Sequence, residues 1–70
     1  MPKLLKSFGN RVRSVRSEKG ISQEALAGLA DLDRTYISGV ERGIRNISLV
    51  NIAALATALD VSVTELTKDL

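Results

Sequence analysis

Cysteine and histidine are both absent from this chain of 70 residues. Without them the chain has no disulfide, no thiol nucleophile, no imidazole base and none of the commonest transition-metal ligands. Because most small catalytic sites depend on one of these groups, we expect no catalytic residue, no metal and no cofactor. A domain of this size is often stabilised by a disulfide, a metal or a partner subunit, so oligomerisation is the remaining means.

Long apolar runs are also lacking. The longest, Ile52–Leu59, is far short of the roughly 20 residues that span a bilayer. The first residues, Met1-Pro-Lys-Leu-Leu-Lys, reach charge before the apolar segment of a signal peptide can develop. We therefore expect a cytoplasmic protein without a membrane partner. Since 44% of the residues are hydrophobic, residues 1–70 are predicted to form a single domain around one modest core.

Basic charge is concentrated in one part of the chain. The net charge at pH 7 is +2, but residues 1–20 alone carry +5, from six basic side chains and one acidic one. Residues 21–33 carry −3, residues 34–48 carry +2 and residues 49–70 carry −2. The first segment is either a solvated basic helix or a surface that binds a polyanion, and its charge alone favours neither interpretation.

Apolar spacing and capping residues predict an all-α chain of five helices. The first is expected over residues 4–19 and ends before Gly20. Serine or aspartate precedes each later helix, at Ser22, Asp33, Ser48 and Ser62. The predicted spans are 23–30, 34–42, 49–59 and a short last helix from Ser62 to about Asp69, where Ser62 and Glu65 have the spacing of a capping box.

Three of these helices carry apolar faces that predict the core. In the third helix Ile37 and Val40 are expected to face inward. In the first helix the apolar face consists of Leu5, Phe8, Val12 and Val15. The fourth helix has an almost continuous apolar face and is predicted to be the central core helix; this face consists of Leu49, Ile52, Leu55, Ala56 and Leu59.

The second and third helices have the pattern of a helix-turn-helix, the geometry that places a recognition helix in the DNA major groove. Gln23 begins the first of the two, and Ala27 is small where they would cross. The motif Gln23-Glu-Ala-Leu-Ala…Ile37-Ser-Gly-Val-Glu41-Arg-Gly resembles the Cro/C1-type helix-turn-helix family of phage repressors, from about Val12 to Leu66. Within that family, the segment from Leu32 to Asn46 resembles the controller proteins of restriction-modification systems.

The resemblance implies a compact five-helix, phage-repressor-like domain with its helix-turn-helix at helices 2 and 3. Its implied partners are double-stranded DNA, read at a palindromic operator, and a second copy of the chain. One departure is visible, because the turn position commonly held by glycine in this family is Asp31 here. Asp tolerates positive φ better than most other residues, so we expect the turn to survive at a small energetic cost.

Residues on and after the third helix are the candidates for DNA contact. Arg34 and Thr35 begin that helix, where side chains meet base edges, and Arg pairs bidentately with guanine. The full set expected to read bases is Arg34, Thr35, Tyr36 and Arg45. For Tyr36 the alternative interpretation is partial burial in the core, and for Arg45 it is an Arg of a solvated loop. The set expected to hold phosphates is Gln23, Ser38, Arg42 and Asn46.

Two further groups are expected to support the fold and the assembly. The resemblance implies an ion pair between Arg16 and Glu41 that joins helix 1 to the recognition helix. It also implies a dimer interface formed by the loop and the C-terminal helices. The candidate interface residues are Ile47, Val50, Val61, Val63 and Leu70, about half of which packing around the core would also explain.

The function expected from this resemblance is transcription regulation, as a repressor or activator at operators near the protein's own promoter, where RNA polymerase is a further candidate partner. The resemblance to controller proteins implies control of its own gene and of a restriction endonuclease gene. The alternatives are a phage-type repressor and an antitoxin-like module that binds a partner protein. A small hydrolase is remote, since His, Cys and clustered carboxylates are lacking.

Overall fold

The computed structural model describes residues 2–70, and Met1, part of the N-terminal segment discussed above, lies outside them. The described chain contains five α-helices and no strand, which confirms the predicted all-α class. The helices are α1 (Pro2–Glu18), α2 (Gln23–Ala30), α3 (Arg34–Glu41), α4 (Leu49–Leu59) and α5 (Val63–Thr67). The predicted bounds of α2 and α4 are correct. In contrast, α1 begins two residues earlier than predicted, and α5 ends at Thr67 rather than near Asp69.

Serine side chains begin three of the five helices. Ser22, Ser48 and Ser62 each accept a hydrogen bond from the backbone N–H three residues later, and Glu65 completes the predicted capping box at α5. Asp33 differs from the expectation, because its carboxylate makes no capping hydrogen bond within the described chain. Its backbone is extended, as a capping residue requires, and its carbonyl accepts the N–H of Ile37 at 3.1 Å. The backbone alone therefore begins α3.

The core lies among all five helices, each of which contributes at least one buried hydrophobic residue, and α4 packs mainly against α2 and α5. The fully or almost fully buried hydrophobic residues of the described chain are Phe8, Val12, Leu26, Ala27, Ile37, Val40, Leu55, Ala56, Leu59 and Leu66. Leu49, predicted to belong to the core face of α4, is 73% exposed. Leu49 lies two turns before Ala56 on the same helix face. Its exposure therefore follows from its place in the first turn, beyond the neighbouring helices.

Close backbone contact joins α1 to α3. A Cβ atom on Gly9 would overlap the carbonyl oxygens of Val40 and Glu41, so only glycine allows α1 to approach the end of α3 this closely. At the other side of the helix pair, Ala27 is buried where α2 meets α3, as predicted. Each of the two helices that pack against α3 thus carries a buried small residue, Gly9 on α1 and Ala27 on α2. No helix of residues 2–70 has the length and apolarity needed to cross a membrane.

Aspartate in the left-handed region ends α2 and α4. Asp31 has φ 55° and Asp60 has φ 57°, and the N–H of each bonds to carbonyls of the preceding helical turn. The expectation that Asp31 adopts positive φ is therefore correct. Most L residues pay about 1–2 kcal/mol in this conformation, although Asp pays less than most.

Asp31→Gly should raise the free energy of unfolding by up to about 1 kcal/mol, because glycine adopts positive φ without a Cβ clash. Urea denaturation measures the change, and Asp60→Gly provides a matched comparison at the same conformation in α4. Loss of stability in both variants would show that the aspartate side chains contribute more than their backbone strain costs.

Candidate nucleic-acid interface

One face of α3 is buried and the other is free. Ile37 and Val40 lie in the core, as predicted, whereas Arg34 and Thr35 in the first turn are exposed. Ser38 is partly exposed on the same helix. The exposed first turn therefore presents a guanidinium and a hydroxyl, which both form hydrogen bonds with base edges.

A buried carboxylate lies beneath this face. Glu41 Oε2 accepts a hydrogen bond from Arg16 Nε at 2.6 Å, and Oε1 accepts one from Arg16 Nη2 at 3.0 Å. The Glu41 side chain is 2% exposed and that of Arg16 is 14% exposed. The bond to Glu41 holds the pKa of the Arg16 guanidinium above its usual value, against the smaller opposite effect of burial. The ion pair that the family resemblance implies is thus present.

The same carboxylate also binds Gln23, a contact that the sequence analysis does not predict. Gln23 Nε2 donates to Glu41 Oε1 at 3.0 Å. Arg16 Nη1 donates in addition to the carbonyl of Ile21 at 2.9 Å, just before α2. Glu41 and Arg16 therefore join α1, α2 and α3. A primary amide has two N–H groups, so Gln23 has a second donor for the phosphate contact expected from the sequence.

A shallow polar recess opens beside this network at the N-terminus of α2. Its lining residues are Arg16, Ser22, Gln23, Glu24 and Arg34. Two guanidinium groups and the N-terminal N–H groups of a helix favour an anion, and the Glu24 carboxylate opposes one. Because Arg16 is already paired with Glu41, the groups that favour an anion here are mainly Arg34 and the N-terminal N–H groups of α2.

Tyr36 is partly buried, which supports the second of the two positions that its sequence left open. Its hydroxyl accepts a hydrogen bond from Asn51 Nδ2 at 3.2 Å and lies 3.5 Å from the carbonyl of Asn46, to which it donates. The ring packs against the core. The Tyr36 hydroxyl therefore forms its hydrogen bonds within the chain.

The loop after α3 brings the remaining candidates beside the helix. The guanidinium carbon of Arg45 lies 5.7 Å from the centre of the Tyr36 ring, a distance at which a cation is attracted to the aromatic face. Arg42 and the side chain of Asn46 are exposed on the same loop. The structure thus places the Arg45 side chain beside α3, while Arg45 itself is exposed.

The candidate interface residues divide into two groups. Val50 is 77% exposed, and Val63 and Leu70 are partly exposed, whereas Ile47 and Val61 pack against the core. Packing around the core therefore explains these last two. The exposed Leu49 and Ile44 were not predicted as surface residues. An apolar groove adjoins this surface and is lined by Leu4, Leu5, Phe8, Asn46, Ile47, Ile52, Thr67 and Leu70.

Arg11 has a role that the sequence analysis does not predict. Its Nη1 donates to the carbonyl of Glu65 at 2.6 Å and its Nη2 to the carbonyl of Lys68 at 2.7 Å. A guanidinium that binds the last carbonyls of a helix also complements the helix dipole. Arg11 therefore holds α5 against α1. Because its partners are backbone oxygens, no sequence motif signals the contact.

Comparison with known proteins agrees with this geometry. Residues 12–66 match the family described as Helix-turn-helix. The chain is 45% identical over 64 residues to control protein C.MunI of Mycoplasma sp, covering 90% of this chain and 86% of that protein. It is 54% identical over 55 residues to control protein C.BamHI of Bacillus amyloliquefaciens, covering 77% of this chain and 68% of that protein.

A solved structure is similar over almost the whole chain. The restriction-modification controller protein C.AhdI from Aeromonas hydrophila aligns with a TM-score of 0.88 and 61% sequence identity. The alignment covers 89% of this chain and 94% of that one. This chain and that protein are therefore similar in backbone structure as well as in sequence.

Arg16→Met should lower the free energy of unfolding by about 2–3 kcal/mol, because a buried carboxylate loses its charged partner. This value is below the range for a fully buried pair because Arg16 retains some exposure. The double variant Arg16→Met/Glu41→Leu should be destabilised by less than the sum of the two single changes. Urea denaturation of the four proteins measures the coupling, and the exposed Arg13→Met on the same helix is the control. Additive effects would contradict a coupled pair.

Proposed function

The chain belongs to the helix-turn-helix family of DNA-binding transcription regulators, and we propose that it is a homodimeric controller protein acting at a palindromic operator near its own promoter. The family membership predicted from the sequence is confirmed by the match over residues 12–66. The similar proteins named as controllers of restriction-modification systems support this choice within the family. The proposal gives the chain a regulatory role in the cytoplasm and no catalytic one, with RNA polymerase as the partner at an activated promoter.

The observation that carries the proposal is the division of α3 into a buried face and a free one. The helix has eight residues and is about 12 Å long, and the diameter of an α-helix with its side chains, about 10–12 Å, fits the width of the major groove, about 12 Å. Its core face, with Ile37 and Val40, fixes its orientation, and its first turn leaves Arg34 and Thr35 free. The exposed polar side chains therefore lie at the N-terminal end of a helix whose other face is fixed in the core.

The candidate DNA contacts fall into two classes with different tasks. Arg34 is proposed to pair with guanine and Thr35 to contact a neighbouring base, with Tyr36 and Arg45 beside them. The second class holds the backbone and determines the register but not the sequence. It consists of Gln23, Ser38, Arg42 and Asn46.

Two copies are required because one short helix reads too little. A helix of this length spans about four base pairs, and a given sequence of four base pairs recurs roughly every 250 base pairs. The operator of a regulator must be distinguished from about a million other sites. The exposed Leu49 and Val50 in the first turn of α4 support an apolar contact between two copies. A symmetric dimer would place its recognition helices about 34 Å apart, one turn of the duplex.

Nuclease footprinting on the DNA upstream of the protein's own gene tests the proposal. We expect two protected half-sites with centres about 10 base pairs apart, related by a two-fold axis. No footprint on this DNA, together with saturable binding to a co-expressed protein, would contradict it and favour a module that neutralises a protein partner.

Arg34→Ala should reduce affinity for the operator by about 1–3 kcal/mol and change binding to unrelated duplex much less, because it removes a base contact. Arg42→Ala should weaken both duplexes alike and reduce the salt slope by about one, because one fewer phosphate is neutralised. Titration of both duplexes at several salt concentrations makes the comparison, after thermal unfolding has shown that each variant is folded. Equal losses on the two duplexes for Arg34→Ala would show that it binds phosphate.

Val50→Asp should weaken self-association at least tenfold, which corresponds to about 1.4 kcal/mol, because a charge replaces an apolar contact between copies. Sedimentation equilibrium measures the dimer dissociation constant. Leu29→Asp is the control, since Leu29 is 64% exposed on α2, outside the candidate interface. Equal effects of the two substitutions would show that Val50 does not lie in the interface.

A further inference from the structure

The side chain of Arg45 lies across α3 at the position of Gly39. A Cβ atom built on Gly39 would be 2.5 Å from Cγ of Arg45, and 3.5 Å from its Cδ and Nε. Apart from Gly39, its two chain neighbours and the backbone of α3 itself, these three are the nearest atoms to that position in the described chain. The space that any other residue would fill at position 39 is therefore occupied by a side chain from the following loop.

The Arg45 side chain lies in a channel on the surface of α3, with Gly39 as its floor. The aromatic ring of Tyr36 forms one wall of this channel. Tyr36 and Gly39 are three residues apart, so they are neighbours on one face of α3. The Arg45 guanidinium carbon is 5.7 Å from the centre of the ring, and the hydrogen bond from Asn51 holds the ring in place. Arg45 thus lies over a glycine and beside an aromatic face, while its own surface remains exposed.

The backbone does not require glycine at this position. Gly39 lies inside α3 and is not among the residues of the described chain with positive φ, unlike Gly20 and Gly43. Glycine in the middle of a helix is destabilising relative to alanine because it loses more conformational freedom on folding. The missing side chain is therefore the feature that needs an explanation.

We propose that Gly39 is a specificity-determining position, because its missing side chain opens the channel that holds Arg45 beside the recognition helix for contact with a base. The inference rests on the proposed function, since it concerns how Arg45 reaches DNA. Gly39 is about 7.5 Å further along the helix axis than Arg34. Arg45 therefore extends the reading surface beyond the first turn of α3. A long side chain that is already held in one position before DNA binds loses less conformational entropy when the complex forms.

The first test needs no DNA. Tyr36 is the only tyrosine of the chain, and Phe8, the only phenylalanine, lies in the core. Nuclear magnetic resonance should therefore show the Cγ and Cδ protons of Arg45 shifted upfield by the Tyr36 ring. Gly39→Ala should abolish this shift. Gly28→Ala on α2 is the matched control, because no described atom lies within 4 Å of a Cβ there, and it should leave the shift unchanged.

The second test measures the ratio of affinities for operator and unrelated duplex. Gly39→Ala and Arg45→Ala should each lower this ratio about tenfold, and combining them should lower it no further, since both remove the same contact. Gly28→Ala should leave the ratio unchanged. Both glycine substitutions favour the helix, so thermal unfolding should show no loss of stability, and a fall in the ratio would not come from unfolding.

Two results would overturn the inference, and a third would instead contradict the proposed function on which it rests. A reduced ratio for Arg45→Ala with an unchanged ratio for Gly39→Ala would show that Gly39 does not position Arg45. An unchanged ratio for Arg45→Ala would show that Arg45 reads no base. Absence of any preference for the operator in the unaltered chain would contradict the proposed function itself, and the upfield shift would still show separately whether the channel exists.

Discussion

The carboxylate of Glu41 is the group on which the arrangement of the DNA-facing helices depends. It is buried at the end of α3, where it accepts hydrogen bonds from Arg16 of α1 and Gln23 of α2. A buried charge without partners would be strongly unfavourable. Once Glu41 is buried, its partners therefore favour the arrangement in which these three helices meet at this point, and the contact holds α3 against α1 and α2 together with the apolar core.

The position of this contact connects stability to function. Gln23 uses one N–H of its amide to bind Glu41 and faces the polar recess at the start of α2. A proposed phosphate contact is thus oriented by the same carboxylate that anchors the recognition helix. Exposed apolar residues at the start of α4 leave a surface for the proposed second copy, and Asn51 in the same turn binds Tyr36 of α3. The proposed DNA contacts and the proposed dimer contacts are thus carried by neighbouring parts of one small core.

Much of the fold follows from local signals in the sequence. Serine caps and apolar periodicity predict α2 and α4 correctly, whereas the positive φ of Asp31 was expected from the family resemblance, in which glycine commonly holds that position. The Arg16–Glu41 pair came from the family resemblance, not from spacing. The remaining features depend on tertiary geometry. Leu49 is exposed because the first turn of α4 extends past its neighbours, and Arg11 binds carbonyls of residues more than fifty positions away.

The most direct test of the account is methylation protection of guanine N7, an atom that lies in the major groove. With α3 in that groove, bound protein should protect guanines in two symmetric half-sites about 10 base pairs apart. The protection should disappear at the guanine paired with Arg34 when this residue is replaced by alanine, while the protein remains bound. Full reactivity of N7 throughout a site that the protein occupies would show that α3 does not enter the major groove, and would contradict the account.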